Sequence, residues 1–537
     1  MTAPSRLSPP RTWWRTFLLG GLFLGAVGAA FVTGVLVHKY RVQIRGKLSA
    51  LQSGGILATN LYNISVQKVS IPGEGRDGGI AALGDGILLV NRKGASWFVD
   101  RDRALHPLAV AVPVNVQEFL DDPATAGLVM ASQFGVKDIL VDEREGVVRL
   151  FASFNFWFAE QDCYGLRVAL LETSLASLRG EAAPSGAWRT LLDTRPCMPL
   201  TRMPDGGSPH PTLGAAGRLA LRSPTELLVS VGGFRGENEM IPPSEYWSAD
   251  NSYGKVLLVD LSNGTARPFT VGHRNPQGLV VTRDGAIWET EHAARGGDEL
   301  NRLVEGQNYG YPAVSYGTTY DAMIWPSNPQ QGRHEGFARP TNVWMPSVGI
   351  SQVVALEKGG FPYWQGDLVV ASMAMEHLYR VRIEDGRAIY AEPMRLDHRI
   401  RDLVEANDGS LVAKTDDDFL IYLTNVTAGS AAAQALAPAE RGQLIATTCM
   451  GCHTLTPGGN QGIGPNLHRI VGRDIASSEG YGYSAALKGL DGVWEGDLLK
   501  RFIADPASVA PGTTMAKLPA YSEQQLADLL AYLETLR

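Results

Sequence analysis

A chain of 537 residues, 45% hydrophobic and 19% charged, suits two or three globular domains. Its net charge of −7 is too mild for a nucleic-acid binder. Sixty glycines and 31 prolines predict many turns and hence much β-structure, and only four cysteines occur.

Residues 1–15 are expected to form a short cytoplasmic N-terminus. Thr16 to Val37 carries no charge. At helical rise this stretch covers about 33 Å, enough to cross a bilayer. Trp13 and Trp14 precede it and Tyr40 follows it, as interfacial anchors do. A cleaved signal peptide is the rival reading, because Ala26-Val27-Gly28 and Gly28-Ala29-Ala30 are small enough for cleavage. The apolar run continues past both, which favours a retained anchor over residues 16–37. Gly21 and Gly25 form a G-x-x-x-G pair able to meet a partner membrane helix. Arginines precede the span and lysines and arginines follow it, so charge alone does not orient it. Residues 38–59 read as a basic, polar stalk.

Across residues 60–424 a turn followed by a short apolar run recurs six times. The runs are Asp85–Val90, Lys137–Val141, Thr225–Ser230, Asp284–Trp288, Gly366–Val370 and Asp408–Val412. Each is expected to be an inner blade strand, and six of them fit an all-β, six-bladed β-propeller with long loops. Periodicity alone leaves a pair of sandwiches open. Cys163 and Cys197 pair as a disulfide if this region lies outside the cytoplasm, or else are two separate buried thiols. Residues 425–437 are small and polar and read as a linker.

Residues 438–537 contain Cys449-Met450-Gly451-Cys452-His453. C-x-x-C followed at once by His is the attachment signature of a covalent c-type haem. Both thiols reach the haem from one turn of chain, and His453 supplies an axial nitrogen to the iron. Gly464-Pro465-Asn466-Leu467, Gly472-Arg473, Gly482-Tyr483-Ser484, Trp494 and Pro511-Gly512-Thr513-Thr514-Met515 follow in order. This series resembles class I cytochrome c, a small all-α domain. The resemblance implies Met515 as the second axial ligand and Pro465 packed against His453. It also implies Arg473, Tyr483 and Trp494 as donors to a buried haem propionate. With both axial positions filled, electron transfer is favoured over oxygen binding. The C-terminal helix is expected to be capped by Ser522 with Gln525, and to bury one leucine face. This domain has 8 Lys and Arg against 10 Asp and Glu, so no charge patch marks its partner. Haem attachment of this kind takes place outside the bacterial cytoplasm. That implies a single-pass inner-membrane protein with its N-terminus inside and its body in the periplasm.

In the β-rich region, Gly272-His273-Arg274-Asn275-Pro276-Gln277-Gly278-Leu279 stands with Gly217-Arg218-Leu219, Asp298-Glu299-Leu300-Asn301, Gly306–Pro312 and Arg399-Ile400-Arg401-Asp402. Together these resemble the glucose/sorbosone dehydrogenase family, which uses pyrroloquinoline quinone (PQQ) and calcium. The resemblance implies that Arg274, Asn275, Arg399 and Arg401 face PQQ. Guanidinium forks suit its three carboxylates, and an Asn amide suits a quinone oxygen. It places backbone calcium ligands at Ala293 and Ala294, where Ala-Ala replaces the family's Gly-Pro. Two departures concern catalysis. Gly214 stands where the family's His base is expected, leaving His210 as the nearest candidate base, and Met373-Ala374-Met375 stands where a Lys is expected. The expected activity is oxidation of a sugar, sugar aldehyde or polyol, with electrons passed to the fused haem and on to a soluble or membrane-bound cytochrome or oxidase. The alternative is an electron-transfer subunit whose propeller only docks.

Overall fold

A turn followed by four or five apolar residues marks a buried strand in each blade, and in five of six cases that strand is second from the centre. The computed structural model describes residues 55–72, 76–125, 134–182, 185–200, 214–233, 246–319, 332–427, 431–434, 436–517 and 521–536. The predicted anchor and most of the stalk lie outside them. Among the described residues, no helix is long and apolar enough to cross a membrane.

Six antiparallel sheets are arranged as propeller blades. Their inner strands, blade 1 to blade 6, are Gly79–Leu83, Val136–Arg144, Ala216–Ser223, Pro276–Val281, Ile350–Ala355 and Ile400–Glu405, each packed against the next around a ring. Of the predicted inner strands only the Lys137 run is one; the other five are second strands, as in Gly86–Val90 and Glu226–Val231. The reason is burial on both faces. Leu88 and Val90 enter the core shared with blade 2, while Ile87 and Leu89 enter the core shared with blade 6. Leu228 faces blade 4, and its neighbours Leu227 and Val229 face blade 2. Period-two alternation between two apolar surroundings reads in sequence as a continuous apolar run. Inner strands instead turn polar residues towards the axis.

Blade 6 closes the ring with both ends of the propeller. Strand Asn63–Ser70 pairs antiparallel with Phe419–Asn425, from Ile64 opposite Asn425 to Ser70 opposite Phe419. Strand Gly55–Ala58 adds a fifth member to this sheet. Within the stretch read as a linker, Val426 and Ala433 are buried in a small cluster with Leu444.

Cys163 and Cys197 are joined in a disulfide with Cα atoms 5.7 Å apart, beside the pairing of Pro199 with Cys163 at the edge of blade 2. The sequence separation is 34 residues. Chain-entropy reasoning puts the value of such a bridge at about 2–4 kcal/mol. The double substitution Cys163→Ser, Cys197→Ser is expected to lower the unfolding midpoint of the propeller accordingly. A matching loss on adding reductant to the wild type checks it.

Helices Pro438–Ala446 and Glu523–Thr535 cross in the C-terminal domain. Gly442 makes the crossing possible, because a Cβ there would lie 1.9 Å from the Asp528 carbonyl oxygen. Arg441 clamps the same point with two hydrogen bonds to the Asp528 carboxylate, each 2.8 Å. The Ser522–Gln525 capping box is present, and Leu526, Leu529 and Leu533 are buried.

Candidate functional site: a haem cavity and a basic propeller face

The haem signature folds as a tight turn, Thr447–Gly451, at the end of the first cytochrome helix. It opens onto a cavity of about 270 Å³ lined by Cys449, Cys452, His453, Tyr483, Trp494 and Met515 among others. His453 Nδ1 lies 2.7 Å from the Pro465 carbonyl oxygen. Donation there fixes the tautomer and leaves Nε2 as the coordinating nitrogen. Pro465 therefore acts through its carbonyl as well as by packing. Gly464 is required beside it, because a Cβ would sit 2.2 Å from His453 Cε1. The two cysteines are not joined in a disulfide, and burial raises the Cys449 pKa.

Of the three predicted propionate donors, Tyr483 and Trp494 form part of the cavity wall. Arg473 lies behind it, donating to the Asn466 carbonyl at 2.9 Å and the His468 carbonyl at 3.3 Å. Its Nε is buried without a partner among the described residues. A cavity with two thiols, one oriented imidazole, one thioether and a nearby buried cationic donor fits haem c.

In the propeller, five of the six inner strands carry a register shift near their first residues. The shifts fall at Lys137, between Ala216 and Leu219, at Gln277, between Ile350 and Val353, and at Arg401. Bulges re-aim side chains, and here they do so around one end of the axis. Beneath that end lies a hub with one residue from every blade. Arg218 Nη1 donates to Asp138 at 3.1 Å and to Asp402 at 2.8 Å, while Nε donates to the Gln277 carbonyl at 2.7 Å. Asp402 also accepts from the Ile80 backbone N–H and from Gln352. All three charged side chains are 5% exposed or less. The Gly-Arg-Leu motif is thus a structural centre.

Above the hub stand the predicted cofactor residues. Arg401 makes two hydrogen bonds to Asp416, 2.8 and 2.9 Å, and Arg399 Nε reaches the same carboxylate at 3.1 Å. Arg399 also donates to the Met373 carbonyl. Arg274 Nη1 donates to the His292 carbonyl at 2.8 Å. Asn275 accepts from the Gln277 amide at 2.7 Å. Burial lowers the His292 pKa first of all, and Arg274 and Arg401 add to this against the opposing pull of Asp298. The sequence reading missed His292, Asp416, Lys137 and Lys414, the last two being buried cations close to Arg401. Lys414 is a lone charge in an apolar strand, whereas Lys137, His292 and Asp416 stand beside other polar residues that mask them: Asp138, Glu291, and Asp417 with Asp418.

The donor chemistry of this face fits a polycarboxylate such as PQQ: two guanidinium groups share one carboxylate. Gly214 holds a left-handed φ of +70°, a conformation that disfavours a His there. His210 lies outside the described residues.

Ala293 and Ala294 are buried. The neighbouring carboxylate, Asp298, accepts from the Ala293, Val348, Gly349 and Ile350 N–H groups and from Ser347 Oγ. With the Asp298 oxygens so engaged, the Ala293 and Ala294 carbonyls are left as the segment's candidates for calcium, the rest of its six to eight oxygens having to come from elsewhere, and no step is assigned to the ion. Another cluster with metal-ligand chemistry, His273, Glu289 and Glu291, has its ligand atoms within 4.8 Å of one another. Burial raises the Glu289 carboxyl well above its ordinary range, and the neighbouring Glu291 charge adds to this. His273 Nδ1 is satisfied by Glu291 at 3.0 Å.

Fold and site define a β-propeller joined to a c-type cytochrome. Residues 439–537 match the cytochrome c family and residues 214–421 match the glucose/sorbosone dehydrogenase family. The chain belongs to the cytochrome c family through its C-terminal domain, fused to a propeller of the glucose/sorbosone dehydrogenase type. Cytochrome c2 of Blastochloris viridis is 33% identical over 115 residues, which span 21% of this chain and 91% of that protein. An uncharacterised protein of Synechocystis is 28% identical over 367 residues, 63% of this chain and 81% of its own length. The crystal structure of a glucose dehydrogenase superposes with a TM-score of 0.53 at 25% identity, covering 67% of this chain and 99% of its own.

Proposed function

We propose that the chain is a quinohaemoprotein-type dehydrogenase that oxidises a sugar, sugar aldehyde or polyol. Bound PQQ would supply two-electron oxidation of a CH–OH group to a carbonyl. Arg274, Arg399 and Arg401 would hold its carboxylates, with Asn275 beside a quinone oxygen. The observation that carries this reading is the convergence of those arginines on one basic propeller face, in the same chain as a haem cavity. Fusion gives the donor a high effective concentration of its one-electron acceptor. The haem domain would pass electrons to a soluble or membrane-bound cytochrome or oxidase. A periplasmic body held by an N-terminal single-pass anchor completes the proposal, and the G-x-x-x-G pair gives that anchor a face for a partner helix.

The test is to add PQQ to the haem-loaded protein, with and without calcium, then a panel of sugars and aldehydes, and follow the reduced-haem band. PQQ-dependent reduction by a substrate supports the enzyme. Arg274→Ala with Arg401→Ala is expected to weaken PQQ binding at least a hundredfold, since each charged hydrogen-bonded contact contributes about 1.5–3 kcal/mol. A second reading rests on Gly214 and Met373-Ala374-Met375, where two expected catalytic groups are missing. In it the propeller only docks and the haem alone is functional. Absence of PQQ binding under all conditions favours it.

A further inference from the structure

Met373-Ala374-Met375 carries no ammonium group, yet two lysines from other strands stand on the same face. Lys137 occupies the bulge of the blade 2 inner strand, where the glycine at 217 leaves room for it; a Cβ on Gly217 would lie 2.7 Å from Lys137 Cβ. Its side chain is 7% exposed and its Nζ lies 2.9 Å from Asp77 Oδ2. Lys414, in the second strand of blade 6, is 3% exposed and donates to the Asp77 backbone oxygen at 2.7 Å. Among the described residues, no carboxylate oxygen is recorded within 4.0 Å of Lys414 Nζ.

Lysines are almost never fully buried unless paired. Here the Asp77 side chain ion-pairs with Lys137 and acts on Lys414 only at a longer range, as does Asp416, whose carboxylate is shared by two guanidinium groups. The other charges facing the pair do not restore balance. Arg92 and Arg401 add positive charge beside Lys137, and Arg401 does so beside Lys414. Asp402 acts on Lys414, and with Asp138 it is committed to Arg218. Positive charge is therefore in excess in a water-poor place, directly beside Arg401.

We propose that Lys137 and Lys414 supply binding charge for the anionic ligand of this face, taking over from strands of blades 2 and 6 what the 373–375 segment lacks. The inference rests on the PQQ reading and deepens it. The two lysines are positioning residues that act through charge. Burial lowers the pKa of each ammonium group in the free protein. A bound polycarboxylate favours the protonated form, so binding takes up protons. Affinity should then fall as pH rises through the lowered lysine pKa values.

The experiment is calorimetric titration of PQQ into the haem-loaded full chain, in two buffers of different ionisation enthalpy. In runs at a series of pH values from neutral into the alkaline range, wild type is expected to bind with net proton uptake where pH passes through the lowered lysine pKa values. Lys414→Met and Lys137→Met, checked for folding by circular dichroism, should bind about tenfold more weakly or worse, with reduced uptake. Lys414→Arg keeps the charge without the titration, so it should retain affinity and lose its share of the uptake. It also serves if the methionine variant does not fold. The trimethyl ester of PQQ should be indifferent to Lys414→Met. Wild-type affinity and uptake in folded Lys137→Met and Lys414→Met overturns the inference and leaves the PQQ reading standing. The same holds for full uptake in Lys414→Arg. No PQQ binding by the wild type overturns both.

Discussion

Arg218→Met is expected to cost the propeller about 3–5 kcal/mol, the usual price of removing one partner of a buried ion pair. Arg218 ion-pairs with two carboxylates that are 5% exposed or less. Its loss leaves Asp138 and Asp402 facing each other in the hub. It also strips donors from the Gln277 and Arg401 carbonyls. The penalty should depend on pH with a definite sign. Burial lifts the Asp138 carboxyl to about 7 even against the pull of Arg218, and Asp402 repels it further. A carboxyl raised in the fold contributes stability below its ordinary range and loses it as pH rises through about 7. Without Arg218 the folded-state pKa climbs higher still. The gap between variant and wild type should therefore be wider at pH 8 than at pH 6. Denaturant titrations of both proteins at the two pH values measure it, and a gap that narrows with pH refutes this reading of the hub. The double variant Arg218→Met, Asp138→Asn should recover part of the loss.

At the other end of the chain, His453→Ala is expected to abolish the low-spin haem spectrum, and Gly464→Ala to weaken it severely. In the first case the coordinating nitrogen is gone. In the second the ring remains, but a methyl group is placed 2.2 Å from Cε1 and 2.5 Å from Nδ1. The imidazole must leave the Pro465 carbonyl that sets its tautomer. Helix packing at Gly442 and Asp528 does not involve Gly464, so far-UV circular dichroism should be nearly unaltered. An unchanged thioether-to-iron absorption band in Gly464→Ala would show that the ring is not held as described.

The haem half was legible because its chemistry is local. Two thiols, an imidazole and the Gly464-Pro465 turn lie within 17 residues, and each has a fixed job. The blades were legible as a count, because each second strand is an uninterrupted apolar run behind a turn. Their position from the axis was not, because the inner strands dilute their apolar residues with Lys137, Asp138, Arg218, Gln352 and Arg401. The arginines of the basic face were found through resemblance. Asp416, their shared counter-ion, lies 15 residues from Arg401 and meets it only across the closing sheet. Lys414 left one trace, a lone charge in the otherwise uncharged buried strand Leu411–Thr415. That signal says nothing about which neighbours it meets.

The closing sheet also orders events in time. Asn63–Ser70 hydrogen-bonds to Phe419–Asn425, a partner that leaves the ribosome some 350 residues later. Until then the early strand has an unsatisfied edge, the kind of edge that recruits other chains. Residues 419–425 must emerge before the ring is sealed, and an escort that masks residues 63–70 would protect the edge until then. Truncations ending before Phe419 should therefore accumulate as aggregates, however well the earlier blades are built.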